Sequence, residues 1–232
     1  AILDLSEAGH QPMATSDRRF VISYNGEIYN FRELRKELEA AGRTFQSRCD
    51  TEVLLQAYAH WGRECLGRLN GMFAFAIWDR QARELFLARD RYGVKPLYVA
   101  ECGPTFLFAS EIKALAVHPA FKAEVDREAL LEYFTFQNFF TDRTLFRGVR
   151  LLPAGSWMTV SAAAVRSPVS YWDFRFEEPA QAVDEQAYRE ELDRLLRQAV
   201  SRQLVSDVEV GAYLSGGMDS GTVTALAARE IP

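Results

Sequence analysis

The sequence predicts an α+β fold in which a layered domain of antiparallel strands and helices is followed by the start of an α/β unit. Short apolar segments separated by tight turns occupy residues 72–109, and segments with a helical apolar period flank them. After a polar stretch, a long amphipathic segment leads into a strand-like run that ends in Ser215-Gly216-Gly217. These observations predict a first domain over 1–176, a linker over 177–183 and a second domain that begins within 184–232.

The first elements are predicted from alternation and from helix-boundary residues. Arg19–Tyr24 (RFVISY) alternates like a strand, and Asn25-Gly26 after it is a strong turn dipeptide. Asn30 is placed to cap a helix over Phe31–Ala41, with a glutamate three residues later and Gly42 as the stop. A strand, a turn and a first helix are therefore expected in that order.

A second helix is predicted over Thr51–Trp61, with Asp50 in the position of its N-cap. Its apolar residues form one stripe, namely Val53, Leu54, Ala57, Tyr58 and Trp61. Two more caps are predicted further along the chain: Ser110 for a short helix through Leu115, and Asp126 for a helix over Arg127–Phe136.

The strands follow from a change to short apolar runs. The segment Met72–Trp78 (MFAFAIW) is apolar throughout, which predicts a strand buried on both faces. The other predicted strands are Glu84–Ala88, Leu97–Ala100, Thr105–Ala109, Thr144–Leu152, Ser156–Ser161 and Ser170–Phe176.

The predicted second unit begins after the polar, proline-containing linker. Asp184 is placed to cap a helix to about Arg202. One apolar face of that helix is expected to carry Tyr188, Leu192, Leu195, Leu196 and Ala199. A strand over Val208–Leu214 and a helix over Gly221–Glu230 are predicted to follow, on either side of the glycine turn.

Composition excludes several classes of function. The 232 residues carry a net charge of −5 without long charge runs, which argues against a nucleic-acid surface. No apolar run approaches the roughly 20 residues of a membrane span, and no signal peptide is recognisable. The three cysteines have no metal-binding spacing, so free thiols in a reducing, cytoplasmic setting are expected. The three histidines are scattered and show no metal-binding motif either.

The glycine turn at 215–220 (SGGMDS) predicts an anion site. The first N–H groups of a helix lack intrahelical partners and carry a partial positive charge, so a strand, a glycine turn and a helix N-terminus together can hold a phosphate. The hydroxyls of Ser215 and Ser220 can donate to its oxygens, and Asp219 suggests a metal ion. The P-loop lysine is absent. An ordinary βα turn with Ser and Asp as caps remains the alternative.

Three further features have two interpretations each. Asn25-Gly26-Glu27 is either a hairpin turn or an oxyanion hole, formed by the Asn25 amide and the Gly26 N–H, with Glu27 beside it to hold an ammonium group. Asp50 is either a cap or a second carboxylate for the same ammonium. The charged loop 89–96 is either a solvated turn with local ion pairs or a basic loop at a domain boundary.

Taken in order, these segments resemble a known family, the glutamine-dependent asparagine synthetases and related amidotransferases. The segments that carry the resemblance cover nearly the whole chain: YNGEIYN (24–30), the helix after it, CDTEVLLQAY (49–58), LNGMFAFAIWD (69–79), LARDRYGVKPLY (87–98), FASEIKAL (108–115) and SGGMDS (215–220). Each segment alone is weak evidence, but the ordered set is specific.

The resemblance implies an N-terminal-nucleophile glutaminase domain, with an αββα sandwich fold, joined to an ATP pyrophosphatase (PP-loop) domain. An N-terminal cysteine would attack the side-chain amide of glutamine, form a thioester and release ammonia. Asn25 and Gly26 match the oxyanion-hole positions, and Glu27 and Asp50 match the carboxylates that hold the amino group of glutamine. The backbone of the segment that includes Ile2 and Leu3 would line the same pocket.

For the second domain, the resemblance implies that ammonia travels through a tunnel to an ATP site. There a carboxylate, aspartate in typical members, would be adenylated with release of pyrophosphate and then amidated. Leu214 matches the residue that lines the nucleotide, and Asp219 would help bind Mg²⁺. The residues that match the pyrophosphate loop are Ser215, Gly216, Gly217, Asp219 and Ser220. The implied partners are glutamine, ATP and aspartate or another carboxylate, and a homodimer is a further option.

The sequence also departs from the family pattern. It begins with Ala1 rather than with the nucleophilic cysteine, and none of its three cysteines has the required free α-amino group. We therefore expect an inactive internal piece of a longer enzyme. Three alternatives stay open: an amidotransferase for another carboxylate, such as a sugar or natural-product precursor; a β-lactam-synthetase-like member without glutaminase activity; and a non-catalytic nucleotide-binding or regulatory module.

Overall fold

A computed structural model describes residues 3–4, 6–177 and 184–230 of the chain. Ile2 and all of the predicted linker except Glu177 lie outside the described residues. The strands are β1 (Met13–Ala14), β2 (Phe20–Ile28), β3 (Gly71–Asp79), β4 (Glu84–Arg89), β5 (Tyr98–Cys102), β6 (Thr105–Ala109), β7 (Val149–Leu151), β8 (Ser156–Ser161) and β9 (Val169–Ser170). The α-helices are α1 (Phe31–Ala40), α2 (Asp50–Trp61), α3 (Ile112–Leu115), α4 (Arg127–Phe136), α5 (Glu185–Gln203) and α6 (Met218–Glu230).

Two antiparallel sheets form the centre of the first domain. Six strands make the larger sheet, in the order β1-β2-β3-β4-β8-β9, and three make the smaller, in the order β6-β5-β7. Alternation along β3 assigns its two faces: Phe73, Phe75 and Ile77 belong to the core shared with α1 and α2, whereas Ala74 and Ala76 belong to the core shared with β5 and β6. A third core, which contains Ala100, Leu115 and Val149, joins the far face of the smaller sheet to α3. The layers are therefore α, β, β and α, as the resemblance implies.

The predicted burial of the apolar strand is confirmed for most of its length. Residues 73–77 of β3 are buried, because one face packs on helices and the other on the second sheet. Trp78 departs from the prediction, since its side chain is 37% exposed. The strand prediction over 84–109 is confirmed to within one or two residues at each end.

Asn25 and Gly26 do not form the predicted turn. β2 continues through both residues to Ile28 and pairs with β3, so that Asn25 lies opposite Ala74 and Gly26 opposite Phe73. A Cβ atom on Gly26 would lie 2.2 Å from the carbonyl oxygen of Met72, so the close approach of β3 requires glycine here. The pairing of all nine residues of β2 with β3 therefore overrides the turn preference of the Asn25-Gly26 dipeptide.

Asn30 precedes α1 as predicted, but its side chain does not cap the helix. Its amide Nδ2 donates to the carbonyl of Arg68 at 2.9 Å, and its Oδ1 accepts from the backbone N–H of Asn70, also at 2.9 Å. The side chain therefore fastens the start of α1 to the segment that enters β3. The end of α1 follows the prediction, because Gly42 has a positive φ of 82° and the N–H of Arg43 bonds back to the carbonyl of Leu38.

Asp50 and Ser110 are also not caps. Asp50 is the first residue of α2 rather than the residue before it, and its carboxylate accepts from the backbone N–H of Ile28 at 2.9 Å. The hydroxyl of Ser110 accepts from Asn25 Nδ2, and α3 begins two residues later. In both cases the side chain that was predicted to cap a helix instead accepts a hydrogen bond from a residue of β2. By contrast, Asp126 and Asp184 cap α4 and α5 as predicted.

Three predicted strands are wrong or too long. Only Val149–Leu151 of the predicted 144–152 strand forms a strand, and Phe146 makes an isolated bridge with Val125. Before them, the Thr144 hydroxyl turns the chain through bonds to the carbonyls of Phe146 and Val149. Of the predicted 170–176 strand, only the first residue is in β9. Val208–Leu214 is not a strand, since none of its residues pairs with another strand in the described part of the chain. A strand without a neighbour leaves its backbone groups unpaired.

The beginning of the second unit is otherwise close to the prediction. α5 runs from Glu185 to Gln203, and α6 begins at Met218, three residues before the predicted start at Gly221. The predicted apolar face of α5 is exposed at its outer positions, where Tyr188, Leu192 and Leu195 are 46–66% accessible. No helix of the described residues is long and apolar enough to cross a membrane.

Candidate functional site

The pairing of β2 determines where the Gly26 N–H points. Odd-numbered residues of this strand bond to β3, as the bond from Tyr29 N to Asn70 O at its end shows. Phe73, which lies opposite Gly26, does not bond to β2: its N–H donates to the Asp90 carboxylate, and its carbonyl accepts from the Asp90 N–H. Because bonding alternates along an antiparallel pair, the N–H of Gly26 points to the outer edge of β2.

No strand of the described residues covers that edge at Gly26. β1 pairs with β2 only as far as Ile22. Beyond it, the N–H of Tyr24 donates to the side chain of Gln11 at 2.6 Å, and the N–H of Ile28 donates to Asp50 Oδ2 at 2.9 Å. The N–H of Gly26, between these two, has no acceptor among the described residues. A backbone N–H without an acceptor at a strand edge can donate to an anionic oxygen.

The Asn25 side chain lies next to this donor and is exposed. Its Nδ2 donates to Ser110 Oγ at 3.2 Å, which orients the amide without burying it. An oxyanion hole uses donors of these two kinds, a backbone N–H and a side-chain amide. The structure thus brings together Asn25 and Gly26, although by means of a strand rather than a turn.

Asp50 is a buried carboxylate held by two donors. Its Oδ2 accepts from Tyr24 Oη at 2.8 Å and from the N–H of Ile28. Burial raises its pKa, and the hydrogen bonds from Ile28 and Tyr24 oppose the shift. Burial raises the pKa of Tyr24 well above its usual range, so the phenol remains a donor.

Glu27 lies close enough to Asp50 for the two negative charges to repel each other. Burial raises the pKa of Glu27, repulsion from Asp50 raises it further, and Lys95 partly offsets both effects. Neither carboxylate has an ion-pair partner within 4 Å in the part of the chain that the structure describes. Two partly desolvated carboxylates without a cation favour the binding of a ligand that carries one.

Leu3 is the described part of the predicted pocket-lining segment, since Ile2 lies outside the described residues. Its side chain is buried in the core that α1 and α2 share with the larger sheet. Asp4 after it accepts from the N–H of Arg48 at 2.8 Å, two residues before Asp50. The amino-terminal segment therefore lies against the loop that leads to the candidate site.

The charged loop 89–96 is exposed at its tip, at Tyr92 and Val94, but its first two residues do not form the predicted local ion pairs. Arg89 and Asp90 are buried, and both bond to backbone groups rather than to opposite charges. Arg89 donates to the carbonyls of Gly93, Lys95 and Leu152. The Asp90 carboxylate accepts from four backbone N–H groups, those of Phe73, Tyr92, Val94 and Lys95. This loop positions β3 and Lys95 beside the candidate site.

Sequence reasoning missed the roles of Tyr24, Ser110 and Asp90. Tyr24 and Ser110 act through partners distant in sequence: Tyr24 and Asp50 are 26 residues apart, and Asn25 and Ser110 are 85 apart. Asp90 joins its own loop to Phe73, 17 residues earlier. An acidic residue next to an apolar strand was the one available signal for Asp90. No local pattern points to the other two.

The glycine turn has an ordered arrangement of its hydroxyls. Ser215 Oγ and Ser220 Oγ are 2.9 Å apart, and the N–H of Gly217 donates to Ser215 Oγ at 3.3 Å. Gly216 has a positive φ of 81°, which glycine adopts without strain. The helix α6 starts directly after the turn, so Asp219 and Ser220 lie in its first turn. Every residue of the turn through Asp219 is exposed.

A cavity of about 390 Å³ adjoins this turn. It lies between α5, α6 and the extended segment before the turn, and its lining includes Val200, Tyr213, Ser220 and Val223. Leu214 is 65% exposed and is not part of the lining. Asp219 is the one acidic residue of the turn, and the described residues contain no cluster of three metal-binding side chains. A single carboxylate suits Mg²⁺ only together with phosphate oxygens.

Comparisons with known proteins give the family. Residues 1–172 match the model of the glutamine amidotransferase domain, and residues 191–232 match that of asparagine synthase. Asparagine synthetase [glutamine-hydrolyzing] 3 of Bacillus subtilis is 44% identical over 98% of this chain and 37% of its own length. A putative asparagine synthetase [glutamine-hydrolyzing] of Mycobacterium tuberculosis is 40% identical over 100% of this chain and 37% of its own length.

A solved structure supports the fold. The glutamine phosphoribosylpyrophosphate amidotransferase of B. subtilis, complexed with ADP and GMP, superposes with a TM-score of 0.50 at 19% identity. That superposition covers 94% of this chain and 47% of the other. The chain spans little more than a third of the curated relatives it matches. Its sequence, its layers and both matches agree, so the chain belongs to the glutamine amidotransferase family, here joined to the beginning of an asparagine synthase domain.

Proposed function

We propose that this chain contains the glutamine pocket and the pyrophosphate loop of a glutamine-hydrolysing asparagine synthetase. The observation that carries the proposal concerns the described residues: among them the N–H of Gly26, beside the Asn25 amide, has no acceptor, and the nearby carboxylates Glu27 and Asp50 have no ion-pair partner. One ligand needs both features: an amide carbonyl that becomes an oxyanion, and an ammonium group a few bonds away. Glutamine has both.

In this proposal the ammonium group of glutamine binds Glu27 and Asp50. Tyr24 and the N–H of Ile28 keep the Asp50 carboxylate in place. The side-chain carbonyl then points to Asn25 Nδ2 and Gly26 N, and these donors stabilise the negative charge that develops on its oxygen. Binding at both ends orients the amide carbon for attack.

The nucleophile is a terminal cysteine thiol that belongs to the full-length enzyme and not to these residues. Its sulfur forms a bond to the amide carbon while the α-amino group takes the thiol proton. The carbon–nitrogen bond then breaks, and the nitrogen leaves as ammonia with that proton. Water hydrolyses the thioester, which gives glutamate and restores the thiol.

The second half of the proposal concerns the turn 215–220. The N–H groups at the start of α6 and the hydroxyls of Ser215 and Ser220 suit a pyrophosphate group. Asp219 is placed to hold Mg²⁺ together with the phosphates, and the metal would supply charge neutralisation when bound. ATP there would adenylate aspartate for amidation by ammonia. Leu214, although exposed, would contact the nucleotide once the rest of the domain covers it.

The test uses the full-length protein. We expect an initiator methionine followed by cysteine upstream of Ala1 in its gene. The enzyme should release glutamate from glutamine and, with ATP and aspartate, form asparagine and pyrophosphate in equal amounts. An enzyme that releases no glutamate contradicts the glutaminase assignment. Pyrophosphate release with another carboxylic acid, but not with aspartate, contradicts the acceptor.

A further inference from the structure

Asp4 connects three segments of the chain. Its backbone N–H donates to Asp207 Oδ2 at 2.8 Å, and Asp207 lies between α5 and the glycine turn. Its Oδ2 accepts from the N–H of Arg48, and its Oδ1 accepts from the N–H and hydroxyl of Ser6. Asp4 thus binds the second unit through its backbone N–H and the loop before α2 through its side chain.

The conformation of Asp4 favours this double role. Its φ is +51°, in the left-handed region that non-glycine residues rarely adopt. The hydrogen bond from the N–H of Arg48 and that from the Ser6 hydroxyl lower the pKa of its carboxyl, so it is an ionised acceptor at neutral pH. A backbone held in a sparsely populated region requires surrounding bonds to maintain it. Here those bonds come from both units.

The loop over residues 46–49, which Asp4 contacts at Arg48, is also hydrogen-bonded to α2. Glu52 of α2 accepts from the N–H groups of Gln46 and Ser47 and from the Ser47 hydroxyl, with distances of 2.6–3.1 Å. Arg48 follows at once, and Asp50 is two residues further. A displacement of Asp4 would therefore reach Asp50 through a short, well-bonded segment rather than through a flexible one.

The end of α5 is attached to the first domain at two more places. Arg202 forms a 3.1 Å ion pair with Glu33 of α1, and Val205 packs on the core between α1, α2 and the larger sheet. Among the described residues, Asp207 is the last one before the turn at Ser215 that hydrogen-bonds to the first domain. The hydrogen bond between Asp4 and Asp207 therefore joins the amino-terminal segment to the start of the extended segment before that turn.

We propose that Asp4 is a positioning residue that couples the nucleotide turn to the glutamine pocket, through Asp207 on one side and Arg48 on the other. The inference rests on the proposed function of both sites. Nucleotide binding at 215–220 orders the segment from Asp207 onward and sets the position of Asp4. Asp4 then fixes Leu3 and the loop that carries Asp50. Because such coupling is reciprocal, the effect on affinity is measurable from either site.

The first test measures the KM for glutamine of the full-length enzyme, with and without MgATP and aspartate. We expect a ratio of about fivefold or more in the unmodified enzyme, which is the lower end of typical couplings. Asp207→Ala removes the acceptor and should bring the ratio to about one. Asp207→Asn keeps an acceptor oxygen and should restore the ratio. Glu209→Ala is the matched control, since this exposed acidic side chain has no hydrogen bond among the described residues, and its ratio should match the unmodified enzyme.

A ratio of one in the unmodified enzyme, or an unchanged ratio in Asp207→Ala, overturns the proposal. A second measurement does not depend on glutamine turnover. MgATP and aspartate should slow hydrogen exchange at residues 46–50 in the unmodified protein but not in Asp207→Ala. Equal slowing in both proteins, or none in the unmodified one, also overturns the coupling. A protein that shows the exchange difference but hydrolyses no glutamine would contradict the proposed function alone.

Discussion

Replacement of Asn25 by alanine separates a catalytic role from a structural one. The side chain is exposed, and its Nδ2 makes one hydrogen bond to a side chain, at 3.2 Å to Ser110. Loss of one such bond changes the free energy of unfolding by about 1 kcal/mol or less. If the amide stabilises an oxyanion, its loss instead raises the activation barrier by about 3–4 kcal/mol, or roughly 10²–10³ in kcat. The two roles therefore differ by orders of magnitude in rate.

The assay is glutamate release by the full-length enzyme, with kcat and KM determined separately. Asn25→Ala should lower kcat and leave KM nearly constant, because the donor acts mainly on the transition state. Ammonia-dependent asparagine synthesis should survive the change. Ser110→Ala is the matched control: it removes the same hydrogen bond but keeps the amide, so kcat should fall only a few-fold.

Two results would refute this reasoning. Equal losses of kcat in Asn25→Ala and Ser110→Ala would mean that the bond between these side chains is what matters. A rise in KM at constant kcat would mean that Asn25 binds the ground state. A loss of ammonia-dependent synthesis would point to a defect in folding instead, which urea unfolding can verify.

Three further predictions concern the second site, the carboxylate pair and the contact between β2 and β3. Asp219→Ala should abolish ATP-dependent synthesis and leave glutamate release largely intact; loss of both activities would contradict the division between the sites. The kcat/KM for glutamine should fall as pH is lowered, because ammonium binding needs Glu27 and Asp50 ionised, and their raised pKa values place this fall above the usual carboxylate range. A profile that stays flat until the protein unfolds would argue against the pair. Gly71→Ala should lower the free energy of unfolding by about 1–3 kcal/mol, since its Cβ would lie 2.1 Å from the Glu27 carbonyl oxygen. Gly67→Ala, with no atom within 4 Å of the new Cβ, should have a much smaller effect in the same urea titration.

The accuracy of the sequence predictions follows the range of the interaction that decides each element. The caps of α4 and α5 were predictable, because Asp126 and Asp184 bond to N–H groups two or three residues away. Asn30 and Ser110 have the same local signal. Their side chains bond to residues 38–85 positions distant, so local sequence assigned them the wrong role.

In the second unit, one strand prediction failed because the described residues contain no neighbouring strand. Val208–Leu214 has the composition of a strand, but a strand depends on neighbours, and the described residues provide none for it. The adjoining helix was predicted because its hydrogen bonds are internal. It starts three residues early, which places Met218, Asp219 and Ser220 in its first turn.

The sequence by itself determined the α+β class, the position of most strands and the identity of the chemical groups at both sites. It could not determine what Asn25, Gly26 and Asp50 do, since each has an ordinary local interpretation. Only the register of β2 on β3 points the Gly26 N–H at an edge that no described strand covers, and only the packing of α2 brings Asp50 to Tyr24 and Ile28. The physical reason is that strand pairing and burial join residues distant in sequence, whereas turn and cap preferences extend over a few residues.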